Sequence, residues 1–231
     1  YFFRNINMLS YPKIKFCGLS NNDDVACAYE QKAYWAGFIF EKGSSRYIEF
    51  EKSKNIIAQF KDKIKFVGVF VNPSNEYIEM GINSGINYIQ LHGSETAERC
   101  EEIKNIFNID IIKAIPIGNE LDLKSIENYS DACDYFLFDK KNENKNGYNG
   151  GTGKIFDWNI IKNNKLWLDK QKPWILSGGL NLSNIKEAIN FTGTKAIDVS
   201  SGIEYNLGIK SKKLMKLFAQ KVHNLENKVK T

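Results

Sequence analysis

Lys13-Ile14-Lys15-Phe16-Cys17, the stretch that begins at Asn22-Asp23-Asp24 and the apolar run Trp35–Phe40 form one round of strand, helix and strand. A short apolar run predicts a buried strand, and Asn followed by acidic residues is typical of a helix start. Two such strands joined through a helix are parallel, with a right-handed crossover. The first forty residues therefore indicate the repeating unit of an α/β fold.

The same alternation continues to the end of the chain and gives eight rounds. The six further strand candidates are Lys65–Val71, Tyr88–Leu91, Asp110–Ala114, Tyr135–Asp139, Pro173–Ser177 and Ala196–Ser200. Helix starts in the third, fourth and seventh rounds are marked by Pro73-Ser74, Ser94-Glu95 and Asn181-Leu182-Ser183. The second, fifth and sixth helices have weaker signals.

Eight rounds predict a single (β/α)8 TIM barrel. The alternative, a doubly wound open sheet, usually has fewer strands and a glycine-rich turn after the first one, where this chain has only Gly18. No linker divides the chain, so we expect an N-terminal extension at residues 1–12 and one catalytic barrel domain at residues 13–231. The Lys/Asn/Gly-rich stretch Lys140–Asn149 has the composition of a mobile loop.

Composition excludes several classes of protein. Hydrophobic residues make up 42% and charged residues 26%, which allows a sizeable core and excludes a disordered chain. No apolar run reaches the ~18 residues of a membrane span, so no membrane partner is expected. The four cysteines are far apart, without a C-x-x-C pair or a histidine cluster. This argues against a metal site or disulfides and favours the cytoplasm or another reducing compartment, such as a plastid.

The net charge of +5 is located in one segment. Residues 208–231 contain seven lysines and one glutamate, so the other 25 basic and 26 acidic residues nearly cancel. Apolar residues recur there at helical spacing, namely Leu214, Phe218, Val222, Leu225 and Val229. We interpret these lysines as the solvated face of a packed helix and expect no nucleic-acid partner.

Strand parity selects two candidates for acid–base chemistry. Side chains alternate along a strand, so Lys15 and Cys17 share one face and the apolar Ile14 and Phe16 the other. The first pair should point into the barrel, with Cys17 at the C-terminal end, where active sites of this fold form. Asp139 has the same position on the sixth strand. Because these strands are three steps apart in an eight-stranded ring, the two side chains should face each other across the mouth.

Glycine-rich turns after the last three strands indicate an anion site. They are Gly150-Gly151-Thr152-Gly153-Lys154, Ser177-Gly178-Gly179-Leu180 and Ser200-Ser201-Gly202. Glycines let backbone N–H groups converge on an anion, and the loops after strands seven and eight often bind phosphate in this fold.

Three other polar residues have open interpretations. Arg46, in the loop after strand two, is suited to hold a carboxylate through paired hydrogen bonds, or is a solvated loop residue. His92, at the end of strand four, is either catalytic or a neutral, hydrogen-bonded residue of the barrel mouth, and the latter is favoured. His223, in the C-terminal helix, is interpreted as structural.

Seven motifs in order resemble the phosphoribosylanthranilate isomerases of tryptophan biosynthesis. They are Lys15-Phe16-Cys17-Gly18-Leu19, Ser45-Arg46-Tyr47-Ile48, Gly68-Val69-Phe70-Val71-Asn72, Gln90-Leu91-His92-Gly93, Gly150-Gly151-Thr152-Gly153-Lys154 with Phe156-Asp157-Trp158, Ser177-Gly178-Gly179-Leu180, and Asp198-Val199-Ser200-Ser201-Gly202-Ile203-Glu204. The match extends from about Lys13 to the C-terminal helix. It departs from the family at Phe16, where an aliphatic residue is usual, and in the longer Lys140–Asn149 loop.

The resemblance implies an Amadori rearrangement of N-(5-phosphoribosyl)anthranilate, without a metal or organic cofactor. It implies that Asp139 is the general acid and Cys17, as thiolate, the general base. A free cysteine has a pKa of ~8.5, so Cys17 needs help near neutrality, which Lys15 could supply.

It further implies that Arg46 holds the anthranilate carboxylate and that Asp198 lies by the sugar hydroxyls. The Gly178-Gly179 and Ser200-Ser201 turns would hold the phosphate, and the loop with Gly151 and Gly153 would close nearby. A monomer or homodimer is expected, and association with other enzymes of the pathway stays open.

Two alternatives stay open. A related barrel isomerase of histidine biosynthesis performs the same rearrangement but has an aspartate at the end of strand one, where this chain has Cys17. A non-catalytic phosphosugar-binding barrel would require the loss of Cys17 or Asp139, and both are present.

Overall fold

The computed structural model describes residues 11–141 and 155–225 and arranges eight parallel strands in a closed ring. They are β1 (Lys13–Cys17), β2 (Trp35–Ile39), β3 (Lys65–Phe70), β4 (Tyr88–Leu91), β5 (Asp110–Ile117), β6 (Tyr135–Lys140), β7 (Trp174–Leu176) and β8 (Ala196–Val199). Each strand pairs with the next in chain order, and β8 pairs with β1. The predicted TIM barrel is confirmed, and the open-sheet alternative is excluded.

Helices follow the strands around the outside of the ring. They are α1 (Asn22–Glu30), α2 (Phe50–Phe60), α3 (Asn75–Asn83), α4 (Ala97–Phe107), α5 (Glu120–Lys124) with a 3-10 turn at Ser125–Tyr129, α6 (Asn159–Asn163), α7 (Lys165–Leu168), α8 (Ile185–Thr192) and α9 (Lys212–His223). A short hairpin, β9 (Glu204–Asn206) and β10 (Ile209–Lys210), follows β8. Within the described ranges, no helix has the length and apolarity needed to span a membrane.

Local capping explains which helix predictions succeed. The side chain of Ser74 accepts the N–H of Tyr77 at the start of α3, as predicted. The sequence signal for α2 is weak because its N-cap, Glu49, makes no side-chain capping bond. The helix is nevertheless eleven residues long. The predicted start at Ser94-Glu95 is wrong, since Thr96 caps α4.

Side-chain alternation divides the interior into two cores, as strand parity predicts. The residues that fill the barrel include Trp35, Val67, Leu137 and Ile175. Ile14, Phe16, Phe136 and Phe138 belong to the larger core between the strands and the helices. The barrel interior is therefore filled by apolar side chains, and a second apolar core separates the strands from the helices.

Helix α9 packs on this shell through Met215, Phe218 and Val222, all fully buried. The ring of Phe218 meets that of Phe16 edge to face, with centroids 6.3 Å apart. The phenyl group of Phe16 thus has a packing role. Lysines on the opposite side of α9 are exposed, and the ring of His223 packs at a tilt against that of Tyr11, with centroids 4.2 Å apart, which agrees with its structural interpretation.

Replacing Phe218 with Ala should lower the free energy of unfolding by about 3–5 kcal/mol, because it opens a cavity between α9 and β1. Urea unfolding followed by circular dichroism measures the change. Leu217→Ala is the matched control, since Leu217 is 41% exposed on the same helix, and its effect should stay within about 0.5 kcal/mol. Equal losses in the two variants would contradict the proposed packing role of Phe218.

Candidate active site

Cys17 ends β1 inside the barrel, in contact with the apolar side chains of Ile39 and Val69. Its neighbour on β2 is Gly37, and the two residues are paired in the sheet register. A Cβ at Gly37 would lie 3.0 Å from Sγ of Cys17 and 3.2 Å from Nζ of Lys15. The absence of a side chain at Gly37 therefore lets the thiol and the ammonium share one small space.

The ammonium of Lys15 forms a buried ion pair with Asp198 of β8. Nζ of Lys15 lies 2.8 Å from Oδ1 of Asp198, and the hydroxyl of Ser177 donates to Oδ2 of Asp198 at 3.0 Å. Burial alone would lower the pKa of Lys15, but its charge interactions and hydrogen bonds with Asp198 and Cys17 together outweigh burial and raise that pKa to about 12. Lys15 is therefore a fixed positive charge at neutral pH.

Burial raises the pKa of the Cys17 thiol above its ordinary value. The Lys15 ammonium opposes this rise, and the Asp198 carboxylate adds to it. The help expected from Lys15 thus has the right direction, but it is smaller than the effect of burial. The balance of these effects favours the neutral thiol at neutral pH.

Asp139 lies near the end of β6 with its carboxylate held from two sides. Oδ1 of Asp139 accepts the N–H of Lys140 at 2.7 Å, and Oδ2 lies 3.4 Å from Nε2 of His92. The other ring nitrogen of His92 is 2.8 Å from Nε2 of Gln90, which is buried. The favoured interpretation of His92, a hydrogen-bonded residue of the barrel mouth, is confirmed, and the residue also contacts the candidate acid.

A second buried ion pair fixes the loop that bears His92. Nζ of Lys113 lies 2.7 Å from Oε2 of Glu95 and donates to the carbonyl of Gly93 at 2.8 Å. The Glu95 carboxylate also accepts the backbone N–H groups of Asn72 and Gly93. Glu95 was expected at a helix start, but it instead joins the loops after β3 and β4.

The turns after β7 and β8 lie side by side at the barrel mouth. Gly178 and Gly179 have φ of 85° and 64°, a left-handed conformation that favours glycine. A parallel bridge joins Asn181 to Gly202, where an added Cβ would lie 2.0 Å from the carbonyl oxygen of Leu180. Ser200 and Ser201 form the turn between β8 and this bridge. The structure thus brings together two of the three predicted phosphate-binding turns.

The third glycine-rich turn, Gly150–Lys154, lies outside the described residues, together with its predicted substrate-binding residues Gly151 and Gly153. Most of the Lys140–Asn149 stretch lies outside them as well.

Arg46 lies in the loop after β2 and is only 6% exposed, so its interpretation as a solvated loop residue is wrong. Nε and Nη2 of its guanidinium donate to the two carboxylate oxygens of Glu204, at 2.7 and 2.9 Å. A Cβ at Gly18 would lie 2.7 Å from Cδ of Arg46 and 3.2 Å from Oγ of Ser200. Gly18 therefore brings the Arg46 side chain and the Ser200 turn next to Cys17.

Lys210 is a site residue that the sequence interpretation missed. It belongs to the C-terminal segment whose lysines were taken as a solvated face, yet it is 6% exposed. Its ammonium donates to Oε1 of Glu204 at 2.6 Å and to both oxygens of Ser200 at 3.0 and 3.1 Å. The turn signal in Asn206-Leu207-Gly208 offered a clue, because a hairpin there places Lys210 before α9 rather than on it.

Comparison with known proteins points to one family. The family model for N-(5'-phosphoribosyl)anthranilate isomerase matches residues 14–221. An N-(5'-phosphoribosyl)anthranilate isomerase of Zymomonas mobilis is 39% identical over 92% of this chain and 99% of its own length. One from Caldanaerobacter subterraneus is 38% identical over 92% of this chain and 98% of its own length.

Solved structures agree with the sequence relatives. The phosphoribosyl anthranilate isomerase of Thermotoga maritima has a TM-score of 0.82 and 34% identity, covering 92% of this chain and 99% of its own. A phosphoribosyl anthranilate isomerase in complex with reduced 1-(o-carboxyphenylamino)-1-deoxyribulose 5-phosphate has a TM-score of 0.79 and 31% identity, with the same coverage. The chain therefore belongs to the N-(5'-phosphoribosyl)anthranilate isomerase family, the aldose–ketose isomerases of tryptophan biosynthesis.

Proposed function

We propose that Cys17 is the general base and Asp139 the general acid with which this chain isomerises N-(5-phosphoribosyl)anthranilate to 1-(2-carboxyphenylamino)-1-deoxyribulose 5-phosphate. One observation supports the pair above all. Cys17 is the last residue of β1 and Asp139 the penultimate residue of β6, so both lie on the face where the turns after β7 and β8 meet, and active sites of this fold form on that face.

The proposed reaction moves protons without any net oxidation. Asp139 protonates the ring oxygen of the ribose, the bond from C1′ to that oxygen breaks, and the anilino nitrogen forms a Schiff base with C1′. Cys17, as thiolate, removes the proton from C2′, which gives an enolamine. The enolamine then tautomerises to the ketone, so that C2′ is oxidised and C1′ reduced within one molecule. No cofactor is required by this balance.

The two anionic ends of the substrate have separate binding groups in this proposal. The phosphate binds at Gly178, Gly179, Ser200 and Ser201, and the anthranilate carboxylate binds Arg46, whose planar guanidinium suits paired hydrogen bonds. Gly151 and Gly153 are proposed to contact the substrate from the loop after β6. Asp198 is proposed to lie near the sugar hydroxyls, with Oδ1 engaged by Lys15.

Neither alternative function is favoured. The histidine-pathway isomerase ends its first strand in aspartate, whereas β1 ends in Cys17, and a non-catalytic barrel has no need of the Cys17 and Asp139 pair. We further propose that the chain works in the cytoplasm as a monomer or homodimer. Its association with other enzymes of tryptophan biosynthesis stays a prediction.

Cys17→Ala and Asp139→Asn should each lower kcat by about 10²–10⁴-fold, the usual contribution of a general acid or base. Loss of substrate fluorescence measures turnover. Both variants should still bind the reduced product analogue, since neither change removes a residue proposed to bind the phosphate or the carboxylate of the ligand.

The controls remove the same chemical groups elsewhere. Cys27→Ala deletes a buried thiol of α1, and Asp131→Asn neutralises an exposed carboxylate, so both should keep the wild-type rate. Full activity of Cys17→Ala or Asp139→Asn would overturn the assigned acid–base pair.

Lys15→Met and Asp198→Asn should move the pH profile of kcat/KM in opposite directions. The Lys15 ammonium lowers the pKa of Cys17 and the Asp198 carboxylate raises it. Removing Lys15 therefore shifts the rising limb, where the thiolate forms, to higher pH, and neutralising Asp198 shifts it to lower pH. Lys13→Met, at the far end of β1, should leave the limb in place. An unmoved limb in Lys15→Met would contradict this electrostatic role.

A further inference from the structure

Arg46, Glu204 and Lys210 form a buried charged cluster between the loop after β2 and the hairpin β9–β10. The Glu204 carboxylate accepts four hydrogen bonds, from Nε and Nη2 of Arg46, from Nζ of Lys210 and from the N–H of Gly208. Burial alone would raise the pKa of Glu204, but its bonds to Arg46 and Lys210 outweigh this and lower it. Glu204 is therefore a carboxylate at neutral pH.

The geometry of the Arg46–Glu204 pair fixes the plane of the guanidinium. Two parallel bonds from Nε and Nη2 hold that plane, which a single bond would leave free to rotate. The pair uses the side edge of the guanidinium, so the end edge, formed by Nη1 and Nη2, points away from Glu204. A guanidinium has five N–H donors, and the pair with Glu204 uses one from Nε and one from Nη2.

The hairpin that supplies Glu204 is itself fitted onto the Arg46 loop. Gly208 has a φ of 79°, and a Cβ there would lie 2.4 Å from the carbonyl oxygen of Ser45. The close approach brings the backbone of the hairpin against the residue before Arg46. Glu204 and Arg46 are thus supported by backbone contact as well as by charge.

Lys210 connects the same cluster to the phosphate-binding turn. Its side chain is fully buried, and its ammonium bonds Glu204 on one side and Ser200 on the other. The path from Ser200 through Lys210 and Glu204 to Arg46 consists of hydrogen bonds of 3.1 Å or less. A shift of the Ser200 turn would therefore be transmitted to Arg46.

We propose that Glu204 and Lys210 are positioning residues that set the orientation of Arg46 and its distance from the phosphate-binding turn. They hold the two anion-binding ends of the site at a fixed separation, which selects substrates whose carboxylate and phosphate have that spacing. The inference rests on the proposed binding roles of Arg46 and Ser200. In this proposal Glu204 positions only Arg46, which binds the substrate carboxylate. Lys210 supports both Arg46, through Glu204, and the Ser200 turn, which binds the phosphate.

The first test compares Glu204→Gln, Arg46→Met and the double variant. Glutamine keeps the size of Glu204 but loses its charge and one acceptor, so KM for phosphoribosylanthranilate should rise by about tenfold or more, with a much smaller change in kcat. If Glu204 acts through Arg46, the double variant should have the KM of Arg46→Met alone. Lys212→Met removes an exposed lysine two residues from Lys210 and should match the wild type.

The second test distinguishes phosphate binding from carboxylate binding. It uses ribulose 5-phosphate, which has the phosphate but no carboxylate, as a competitive inhibitor. Its inhibition constant should be unchanged in Glu204→Gln and should rise in Lys210→Met. Lys210→Arg, which keeps the charge, should recover part of that loss. Thermal unfolding identifies a variant that fails to fold, and Glu204→Asp then takes the place of Glu204→Gln, with a rise in KM expected again.

Three results would overturn the proposal. A lowered KM in Glu204→Gln would mean that Glu204 competes with substrate for Arg46. Multiplicative losses in the double variant, or equal weakening of ribulose 5-phosphate in Glu204→Gln, would mean a general structural role. A wild-type protein that leaves phosphoribosylanthranilate unchanged would instead refute the proposed function, so the two failures are distinct.

Discussion

The ion pair between Lys15 and Asp198 lies inside the barrel where the first and last strands meet. The two residues are partners in the register of β1 and β8, so the pair spans the seam that closes the ring. Burying two charges costs several kcal/mol per ion, and a well-packed apolar pair would often be at least as stable. The stability of the barrel is thus a poor explanation for the pair, and its electrostatic effect on the neighbouring thiol is a better one.

That effect depends on distances that only the closed ring provides. The pKa of Lys15, about 12, keeps it charged through the range in which a thiol titrates, and Gly37 gives its ammonium access to Sγ of Cys17. Asp198 both holds this charge in place and partly cancels it. Burial keeps the thiol neutral although a cation lies beside it, and in this arrangement a change in local charge alters the population of the thiolate.

Sequence reasoning succeeded where a local rule applies and failed where partners are distant along the chain. Period-two alternation placed Cys17 on the inner face of its strand, because strand geometry imposes that period. No local rule connects Arg46 with Glu204, which lies 158 residues later in the chain. Nor does a local rule predict that Lys210, one of several lysines in a basic segment, is buried. Lys210 differs from the exposed lysines of α9 only because a hairpin precedes that helix. Glu95 was misassigned for the same reason, since its partner Lys113 lies on the next strand.

The hairpin after β8 also bears on how a common fold acquires a particular substrate. Turns after the seventh and eighth strands supply a phosphate site in many barrels, so phosphate binding alone selects only a broad class of ligands. Selection requires a second group at a defined distance, and Arg46 can be that group only if its guanidinium is held still. Ordering a long side chain such as that of Arg46 costs considerable conformational entropy. A bonding partner is therefore needed to hold the guanidinium in one orientation. Glu204 orders it before substrate arrives, which is the physical advantage of a preorganised site.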